Sequence, residues 1–292
     1  MKKSAKRKLK SELKKALAAL LAAGAAALYY FLSPYLAPAA PAGELEVHFI
    51  DVGQGDAILL RCDGETAVVD AGTPDCRDSL LEYLQGQRLE EPKYIFASHS
   101  HADHIGSMAA VIDAFGCQTF VMPDMVSYTR SFENMIDSVE RCGAETRLGK
   151  AGDSFALGQA QLELLWPAEG YETDDPNNIS LVIRVTYGPY SFLLTGDAES
   201  PVEKEFAPNA TRVTVLKAGH HGSKTSSSKT LLEALQPEYC VISVGAGNSY
   251  GHPSEEVLDR LEQMGCQIYR TDLQGSVVFR IEEGELYVDT AR

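Results

Sequence analysis

Three histidines and one aspartate lie within six residues of one another, on the stretch between Ser98 and Gly106. The four residues are His99, His101, Asp103 and His104. An apolar run precedes them and a helix-like run follows, so they lie on a strand-to-helix loop. Imidazole and carboxylate groups at this spacing are typical of metal ligands, whereas accidental clustering of three among only seven histidines is a poor alternative. We therefore expect two divalent ions, with His99 and His101 on the first and Asp103 and His104 on the second.

The histidine stretch resembles the His-x-His-x-Asp-His signature of the metallo-β-lactamase fold superfamily. Four further blocks, in order along the chain, resemble the hydrolase domain of ComEC-type competence proteins. These blocks are Phe49–Asp56, Leu194–Asp197, His220–Ser223 and Tyr250–Pro253. The resemblance covers the chain from about Glu44 to its C-terminus. It implies a metallohydrolase that holds two divalent metal ions, Zn or Mn, and acts on DNA.

The remaining metal ligands are assigned by this resemblance. Asp197 follows the apolar strand Phe192–Leu194 and is expected to bridge both metals, with a turn-forming aspartate as the alternative. One of the adjacent residues His220 and His221 should complete the second metal site. Because adjacent side chains point in different directions, one of the two is free to face the substrate. We assign His220 to the metal and His221 to the substrate, as a proton donor or an anion contact.

The resemblance also implies which residues contact the substrate or support the metals. The expected catalytic residues are Asp103, His221 and His252. The expected substrate-binding residues are Asn178, Ser223, Lys224 and Tyr250. Asp51 and Asp70 are expected to orient the metal-binding loops from behind, with a turn-forming role as the alternative for Asp70.

One departure from the family pattern concerns the first metal. Many proteins of this fold supply a third histidine from a loop before the bridging aspartate, but no histidine occurs here between His104 and His220. The segment Asp175–Ser180 takes its place. Asn178 or water is expected to complete the first site, which should therefore be weaker and more exchangeable than the second.

Hydrophobic periodicity predicts the elements that position these residues. Strands of a meander run from Leu45 to Asp70, and helices then alternate with strands up to Arg141. The same succession returns from Asp153 to Ile281. Two similar halves indicate an α/β fold in which two sheets pack face to face with helices outside. This four-layer αβ/βα sandwich agrees with the metallo-β-lactamase fold that the resemblance implies, where the site lies at one edge of the sandwich.

The N-terminal residues predict a membrane attachment. Residues 1–15 carry eight Lys or Arg and one Glu, and we expect this basic segment to stay in the cytoplasm. Residues 16–36 are uncharged and long enough to cross the cell membrane as a single transmembrane helix. Residues 37–43 form a linker, and residues 44–292 form the hydrolase domain, which is then extracytoplasmic. A cleaved signal peptide, which would give a secreted protein, is the alternative.

Charge and cysteine content bear on partners and compartment. Without residues 1–15 the chain holds 18 basic and 40 acidic residues, a net charge of −22. Such an acidic domain repels polyanions at long range, which argues against general nucleic-acid binding. An exported domain can oxidise its cysteines, so Cys117–Cys142 and Cys240–Cys266 are candidate disulfides, with buried free thiols as the alternative.

These observations together predict a membrane-tethered dinuclear phosphodiesterase that cleaves DNA outside the cytoplasmic membrane, with DNA-uptake proteins as candidate partners. The alternative reaction is hydrolysis of another cell-surface phosphodiester, such as a choline phosphate ester of a cell-wall polymer. The alternative of a different class is a non-catalytic, metal-stabilised binding module of an envelope or DNA-uptake assembly. It is disfavoured because structural zinc sites are usually closed by four protein ligands.

Overall fold

A computed structural model describes residues 43–292 of the 292-residue chain. The basic segment predicted at 1–15, the membrane segment predicted at 16–36 and all but the last residue of the predicted linker lie outside the described residues. Within residues 43–292, no helix combines the length and the apolar character that a membrane span requires.

Two β-sheets of similar size form the centre of the domain. Their strands are β1 Leu45–Phe49, β2 Ile58–Cys62, β3 Glu65–Val69, β4 Tyr94–Phe96, β5 Thr119–Met122, β6 Glu145–Leu148, β7 Ser154–Leu157, β8 Ala160–Trp166, β9 Val182–Tyr187, β10 Tyr190–Leu194, β11 Val215–Lys217, β12 Tyr239–Ile242, β13 Gln267–Arg270, β14 Val277–Glu282 and β15 Glu285–Thr290. The eight-stranded sheet has the order β15-β14-β1-β2-β3-β4-β5-β6, and the seven-stranded sheet has the order β13-β12-β11-β10-β9-β8-β7.

The helices cover the outer faces of the two sheets. They are α1 Arg77–Gly86, α2 Ala102–Ile105, α3 Met108–Phe115, α4 Arg130–Cys142, α5 Ser200–Phe206, α6 Lys229–Leu235, α7 Glu255–Gln263 and α8 Thr271–Gln274. Helix α4 shows the local signals clearly: the Thr129 hydroxyl accepts the Phe132 N–H at its start, and Gly143, at φ 73°, ends it. Phe132, Met135 and Val139 form its buried face at helical spacing.

The four layers, helices on the outside and two sheets between them, are held together by strands that are apolar on both faces. In β2, Ile58 and Leu60 face the apolar cluster between the two sheets, whereas Leu59 faces the cluster under the helices of the eight-stranded sheet. In β10, Phe192 faces the cluster between the sheets and Leu193 faces the helices of the seven-stranded sheet. Because successive side chains of a strand point to opposite faces, each central strand stabilises two layers at once. The two-sheet α/β sandwich predicted from the sequence is confirmed.

The two predicted disulfides are absent from the structure, and all six cysteines of residues 43–292 carry free thiols. The members of the first pair are neighbours, since the Cys142 thiol donates to the Cys117 carbonyl oxygen at 3.6 Å. Burial raises the pKa of Cys117 to about 12, so this thiol stays protonated. Cys240 and Cys266 pack in the apolar cluster of the seven-stranded sheet and act there as small apolar side chains.

The connections place several loops at one edge of the sandwich. Strands β3 and β4 are parallel, and so are β10, β11 and β12. Parallel strands end at the same edge of their sheet, so the residues that follow these five strands gather there. Each sequence block that contains a predicted metal ligand follows one of these strands.

Candidate metal centre

Six of the seven histidines meet at this edge. They are His99, His101, His104, His220, His221 and His252, whose neighbouring ring centroids lie 4.2 to 6.2 Å apart. His99, His104 and His221 are almost completely buried. Burial of so many ionisable groups in one place is costly unless they are paired with charges or metals.

A first ligand group consists of His99, His101 and Asp197, whose donor atoms all lie within 4.8 Å of one another. His99 Nε2 is 3.0 Å from His101 Nδ1 and 3.8 Å from Asp197 Oδ2. The Ser180 hydroxyl lies 3.3 Å from His99 Nδ1 and accepts the backbone N–H of Asp197 at 3.1 Å. Ser180 thereby ties the bridging candidate to the first histidine.

A second ligand group consists of Asp103, His104 and His221 within the same 4.8 Å limit. His221 Nε2 is 3.4 Å from Asp103 Oδ2. Asp197 Oδ2 lies 3.2 Å from His104 Nε2 and 3.7 Å from His221 Nε2. The same oxygen of Asp197 therefore faces both groups.

The donor atoms at the centre of these groups satisfy a simple test for metal binding. His104 Nε2 and His221 Nε2 are buried and have no hydrogen-bond partner among residues 43–292. Buried polar atoms that lack a partner are rare in folded proteins, and a metal ion would satisfy imidazole nitrogen and carboxylate oxygen together. The residues present thus fit two divalent ions that share Asp197.

Hydrogen bonds behind the ligands fix which imidazole nitrogen faces the centre. Asp70 accepts from His104 Nδ1 at 2.8 Å and also accepts the backbone N–H and hydroxyl of Ser98. The Ser243 carbonyl accepts from His221 Nδ1 at 2.9 Å. Both histidines are therefore held with Nε2 toward the ligand centre, as metal-binding histidines usually are. Asp70 adopts a left-handed conformation, φ 59°, to reach this position.

Of the two adjacent histidines, the structure groups His221 with the other candidate ligands, whereas the sequence expectation assigned His220 to the metal. His221 lies in the second ligand group, whereas His220 belongs to none of the groups and its side chain is 24% exposed. Both residues are left-handed, with φ values of 49° and 53°, which turns their side chains apart. His220 Nδ1 lies 3.3 Å from a carboxylate oxygen of Glu199, a residue that sequence reasoning did not single out.

Two further charged residues, Asp56 and Lys217, lie among the ligands without having been assigned a site role from sequence. Lys217 forms an ion pair with Asp56, and both side chains are almost fully buried. Gly55, the residue before Asp56, lets this segment lie directly against Asp103, because a Cβ atom at Gly55 would be 2.3 Å from the Asp103 carbonyl oxygen. A lysine at the end of the apolar run Val213–Leu216 is a sequence signal that could have identified the pair.

The buried charges shift one another's pKa values strongly. Burial lowers the pKa of His104, but the carboxylates of Asp197 and Asp70 outweigh it and raise this pKa well above its usual range. Against burial, Asp197, Asp103 and Asp56 raise the pKa of His221 to about 9. Burial and the charge of His104 hold the pKa of His99 well below its usual range. Without metal, these shifts favour the protonated forms of His104 and His221, so metal binding at these two residues competes with protons.

A cavity of about 360 Å³ opens onto the ligands. It is lined by Gln54, His101, Ala102, Asp103, Asp197, His220, His221, Tyr250 and His252. Tyr250 is 68% exposed and stacks on His252, with ring centroids 5.8 Å apart at an angle of 25°. Burial and the charges of His220 and His221 lower the pKa of His252, so this imidazole is neutral at pH 7.

Three other residues predicted for the site do not line this cavity. The Asn178 amide accepts the Glu199 N–H and donates to Asp175, so both of its ends are engaged by other residues of the chain. The Ser223 hydroxyl bonds to the Thr225 hydroxyl, and neither it nor the exposed Lys224 lines the cavity.

Asp51 lies at the surface and is not behind the ligands. Its carboxylate accepts the Gly53 N–H and pairs with Arg292 near the C-terminus. Asp56, five residues later, occupies the position expected for Asp51, since it is buried against His104 and His221.

Comparison with known proteins agrees with this geometry. Residues 50–245 match the family described as the metallo-beta-lactamase superfamily. The chain is 33% identical over 255 residues to competence protein ComA of Neisseria gonorrhoeae, covering 86% of this chain and 34% of that protein. It is 29% identical over 263 residues to ComE operon protein 3 of Bacillus subtilis, covering 82% and 33% respectively. The chain spans about a third of the length of these curated relatives.

Solved structures share the fold at low sequence identity. The metallo-beta-lactamase fold protein YhfI from Bacillus subtilis superposes with a TM-score of 0.55 at 11% identity, covering 85% of this chain and all of that one. CmlA, a diiron beta-hydroxylase from Streptomyces venezuelae, superposes with a TM-score of 0.57 at 13% identity, covering 82% and 54%. At these identities the likeness concerns the fold alone.

Proposed function

Because this chain belongs to the metallo-beta-lactamase superfamily, we propose that it is a dinuclear metal-dependent phosphodiesterase that cleaves DNA. The observation that carries the proposal is the shared carboxylate. Asp197 Oδ2 lies 3.8 Å from His99 Nε2 on one side and 3.2 Å from His104 Nε2 on the other. A carboxylate between two imidazole groups suits a pair of ions that clamp the oxygens of a phosphodiester.

The proposed ligands divide unevenly between the two positions. The first ion takes His99, His101 and Asp197, and the second takes Asp103, His104, His221 and the shared Asp197. Imidazole with carboxylate accommodates Zn or Mn. When bound, such a pair supplies a hydroxide nucleophile at neutral pH and neutralises charge on the attacked phosphate.

The residues at the mouth of the cavity act on the substrate in this proposal. His220 replaces His221 in the role of proton donor to the leaving group, because it is partly exposed and lies beside the Glu199 carboxylate. The neutral His252 imidazole and the Tyr250 ring, stacked on each other, contact the neighbouring part of the substrate. A nucleobase can stack on such an exposed aromatic ring, which suits a single strand better than a duplex.

Other observations support DNA as the substrate and a location of the hydrolase domain outside the cell membrane. The curated relatives include a protein named as a competence protein. The uncharged segment 16–36 after a basic segment supports a transmembrane anchor with the hydrolase domain outside, where DNA-uptake proteins would be its partners. The cavity beside the ligands argues against a purely structural metal site, because such sites are closed.

One observation favours the second candidate reaction, hydrolysis of a choline phosphate ester. A second groove, of about 720 Å³, is lined in part by Ser100, which lies between His99 and His101 in the sequence. It is lined by four carboxylates together with Tyr171 and Lys150, and Lys150 is paired with Glu169. Carboxylates and an aromatic ring suit a quaternary ammonium group and not a second phosphate.

A substrate panel with matched variants tests the proposal. The full chain is stripped with chelator, reloaded with Mn²⁺ or Zn²⁺, and given single-stranded DNA, duplex DNA, a simple phosphodiester, a choline phosphate ester, a thioester and a lactam. We expect cleavage of single-stranded DNA and the simple phosphodiester, and a loss above about a hundredfold in Asp197→Asn, since outer ligand partners alone cost 10–100-fold. Asp78→Asn, an exposed carboxylate, is the control. Turnover of only the thioester or lactam would refute the phosphodiesterase assignment.

A further inference from the structure

A buried ion pair between Asp56 and Lys217 lies against both ligand groups. Asp56 comes from the connection between β1 and β2 of the eight-stranded sheet, and Lys217 ends β11 of the seven-stranded sheet. Their side chains are 1% and 0% exposed. The pair therefore joins the two halves of the sandwich at the place where both supply metal ligands.

Lys217 holds the bridging aspartate at two points. Its ammonium group donates to the Gly196 carbonyl oxygen at 2.9 Å, and Gly196 directly precedes Asp197. The same Nζ lies 3.9 Å from Asp197 Oδ1, the oxygen that faces away from the shared position. The Thr195 hydroxyl adds a bond to the Lys217 carbonyl at 2.9 Å. The backbone and carboxylate of Asp197 are thereby fixed from the side opposite the cavity.

Asp56 contacts the second ligand group in the same way. Its backbone N–H donates to the Asp103 carbonyl at 3.1 Å. Its carboxylate oxygens lie 3.5 Å from His221 Nδ1 and 3.8 Å from His104 Nδ1. Asp56 thus contacts all three residues of the second group, His104 and His221 through its carboxylate and Asp103 through its backbone N–H.

The charge balance of the cluster explains why a lysine is needed. Donor atoms of Asp56, His104 and Asp197 lie within 4.8 Å of one another, so the carboxylates alone would provide a position for a further cation. Four carboxylates meet at this centre, those of Asp56, Asp70, Asp103 and Asp197. Lys217 Nζ already occupies the position on Asp56, and an ammonium group cannot exchange with the solvent as a metal ion does.

We propose that Lys217 is a built-in monovalent cation which replaces a third metal ion on Asp56 and limits the site to two metals. Lys217 and Asp56 are positioning residues here, because neither lines the cavity within the described chain. The inference rests on the proposed dinuclear site. It adds that the charge of Lys217 determines how many metal ions the site binds and how tightly it binds them.

Calorimetric titration of Mn²⁺ into the metal-free full chain tests this proposal without an activity assay. Lys217→Met leaves the Asp56 carboxylate uncompensated, and we expect either a third ion or binding that is at least about tenfold tighter. Asp56→Asn leaves the ammonium uncompensated near Asp197, and we expect binding at least about tenfold weaker. The neutral double variant should return close to the wild-type affinity. Lys229→Met, at an exposed ion pair with Glu233, is the matched control.

The opposite directions of the two single changes distinguish the proposal from a structural role. A pair that served only folding would weaken metal binding in both single variants, and that result would overturn the inference. If Lys217→Met does not fold, Asp56→Asn and the double variant decide: recovery in the double variant supports the proposal, and absence of recovery overturns it. If the wild-type chain binds two Mn²⁺ ions but the single variants change the Mn²⁺ affinity in the wrong direction, only this inference is refuted. If the wild-type chain binds no divalent metal, the dinuclear site itself is refuted.

Discussion

At the scale of single residues, the site depends on which nitrogen of each histidine is already engaged. His104 and His221 use Nδ1 for Asp70 and for the Ser243 carbonyl, so Nε2 of each is available to a metal. His220 has no such anchor to a backbone carbonyl among the described residues and lies beside Glu199. Two neighbouring residues of identical type thus have different chemistry because their Nδ1 atoms have different neighbours.

Exchange of each histidine for alanine separates these roles. We expect His221→Ala to lose about one metal ion per chain, since it removes a ligand of the second group. His220→Ala should keep both ions and lower turnover by about 10²–10⁴-fold, the usual contribution of a general acid. Metal content by elemental analysis and turnover on a phosphodiester are the measurements. Equal metal loss in both variants would contradict the division of roles.

The pH dependence of metal binding follows from the raised pKa of His221, about 9. Below that pH the metal-free imidazole carries a proton that competes with the metal, so affinity should fall as the pH is lowered from about 9. Calorimetry in buffers of different ionisation enthalpy counts the released protons. We expect proton release at pH 7 in the wild type and less in His221→Ala. A pH-independent affinity between 6 and 9 would show that the metal does not displace this proton.

Sequence reasoning at this scale singled out the ligand-type residues and the supporting Asp70, but not Asp56 and Lys217. The spacing of His99, His101, Asp103 and His104 is local, so it is visible in the sequence. Asp56 and Lys217 come from different sheets, and only the packing of the sandwich brings them together. The order of His220 and His221 depends on two left-handed backbone angles, which the residue types do not specify.

At the scale of elements, helices outside the seven-stranded sheet hold the loop that follows the histidine pair. Glu203 of α5 is fully buried, and its carboxylate accepts the backbone N–H groups of Ser227 and Ser228 at 2.6 and 2.8 Å. Arg260 of α7 donates to the carbonyls of Ser226 and Ser227 at 3.1 and 2.8 Å. Ser227 is left-handed, φ 50°, so the loop needs these contacts to keep its shape.

Removal of the Glu203 carboxylate should loosen this loop. Glu203→Ala leaves two buried N–H groups without an acceptor, and we expect a loss of about 2–4 kcal/mol in the free energy of unfolding. Urea denaturation measures it, and turnover should fall as well because the loop carries the His220 backbone contact to Ser223. Glu205→Ala, at an exposed position of the same helix, is the control. Equal stability losses in the two variants would show that Glu203 has no special role.

Most elements were predictable because their periodicity is strong. The helices Arg77–Gly86, Arg130–Cys142 and Glu255–Gln263 lie within the two regions where the sequence predicted helices alternating with strands. Strand β6 was missed because all four of its residues are exposed and show no alternation. The four-residue helix α2 was missed because its residues, Asp103 and His104 among them, have ligand chemistry and not an apolar pattern.

At the scale of the whole molecule, the site exists only when the two sheets pack together. The eight-stranded sheet supplies His99, His101, Asp103 and His104, and the seven-stranded sheet supplies Asp197 and His221. The repeated meander in the sequence predicted this two-sheet arrangement, whereas the contacts across it could not be read from either half alone.

The acidic character of the domain predicts how the proposed DNA substrate would be bound. Since net charge repels the substrate at long range, binding should depend on the metals and not on many lysines and arginines. We expect no measurable DNA affinity after chelation, and less than about a tenfold loss of affinity between 50 and 200 mM salt when metal is bound. Proteins with 6–10 phosphate contacts lose about 10³–10⁵ over that range. Fluorescence anisotropy with labelled single strands measures both, and a loss of a thousandfold would indicate a basic binding surface.

The most direct test of the central claim is cleavage of single-stranded DNA as metal is returned stepwise to the metal-free protein. The rate of cleavage is measured at zero, one, two and three equivalents of Mn²⁺ per chain. The Asp197→Asn variant, which we expect to be inactive, is the blank. We expect little cleavage at one equivalent, full cleavage at two and no increase at three, because cleavage requires both ions that share the Asp197 carboxylate. Protein that holds two ions per chain and leaves both DNA and simple phosphodiesters intact would contradict the account.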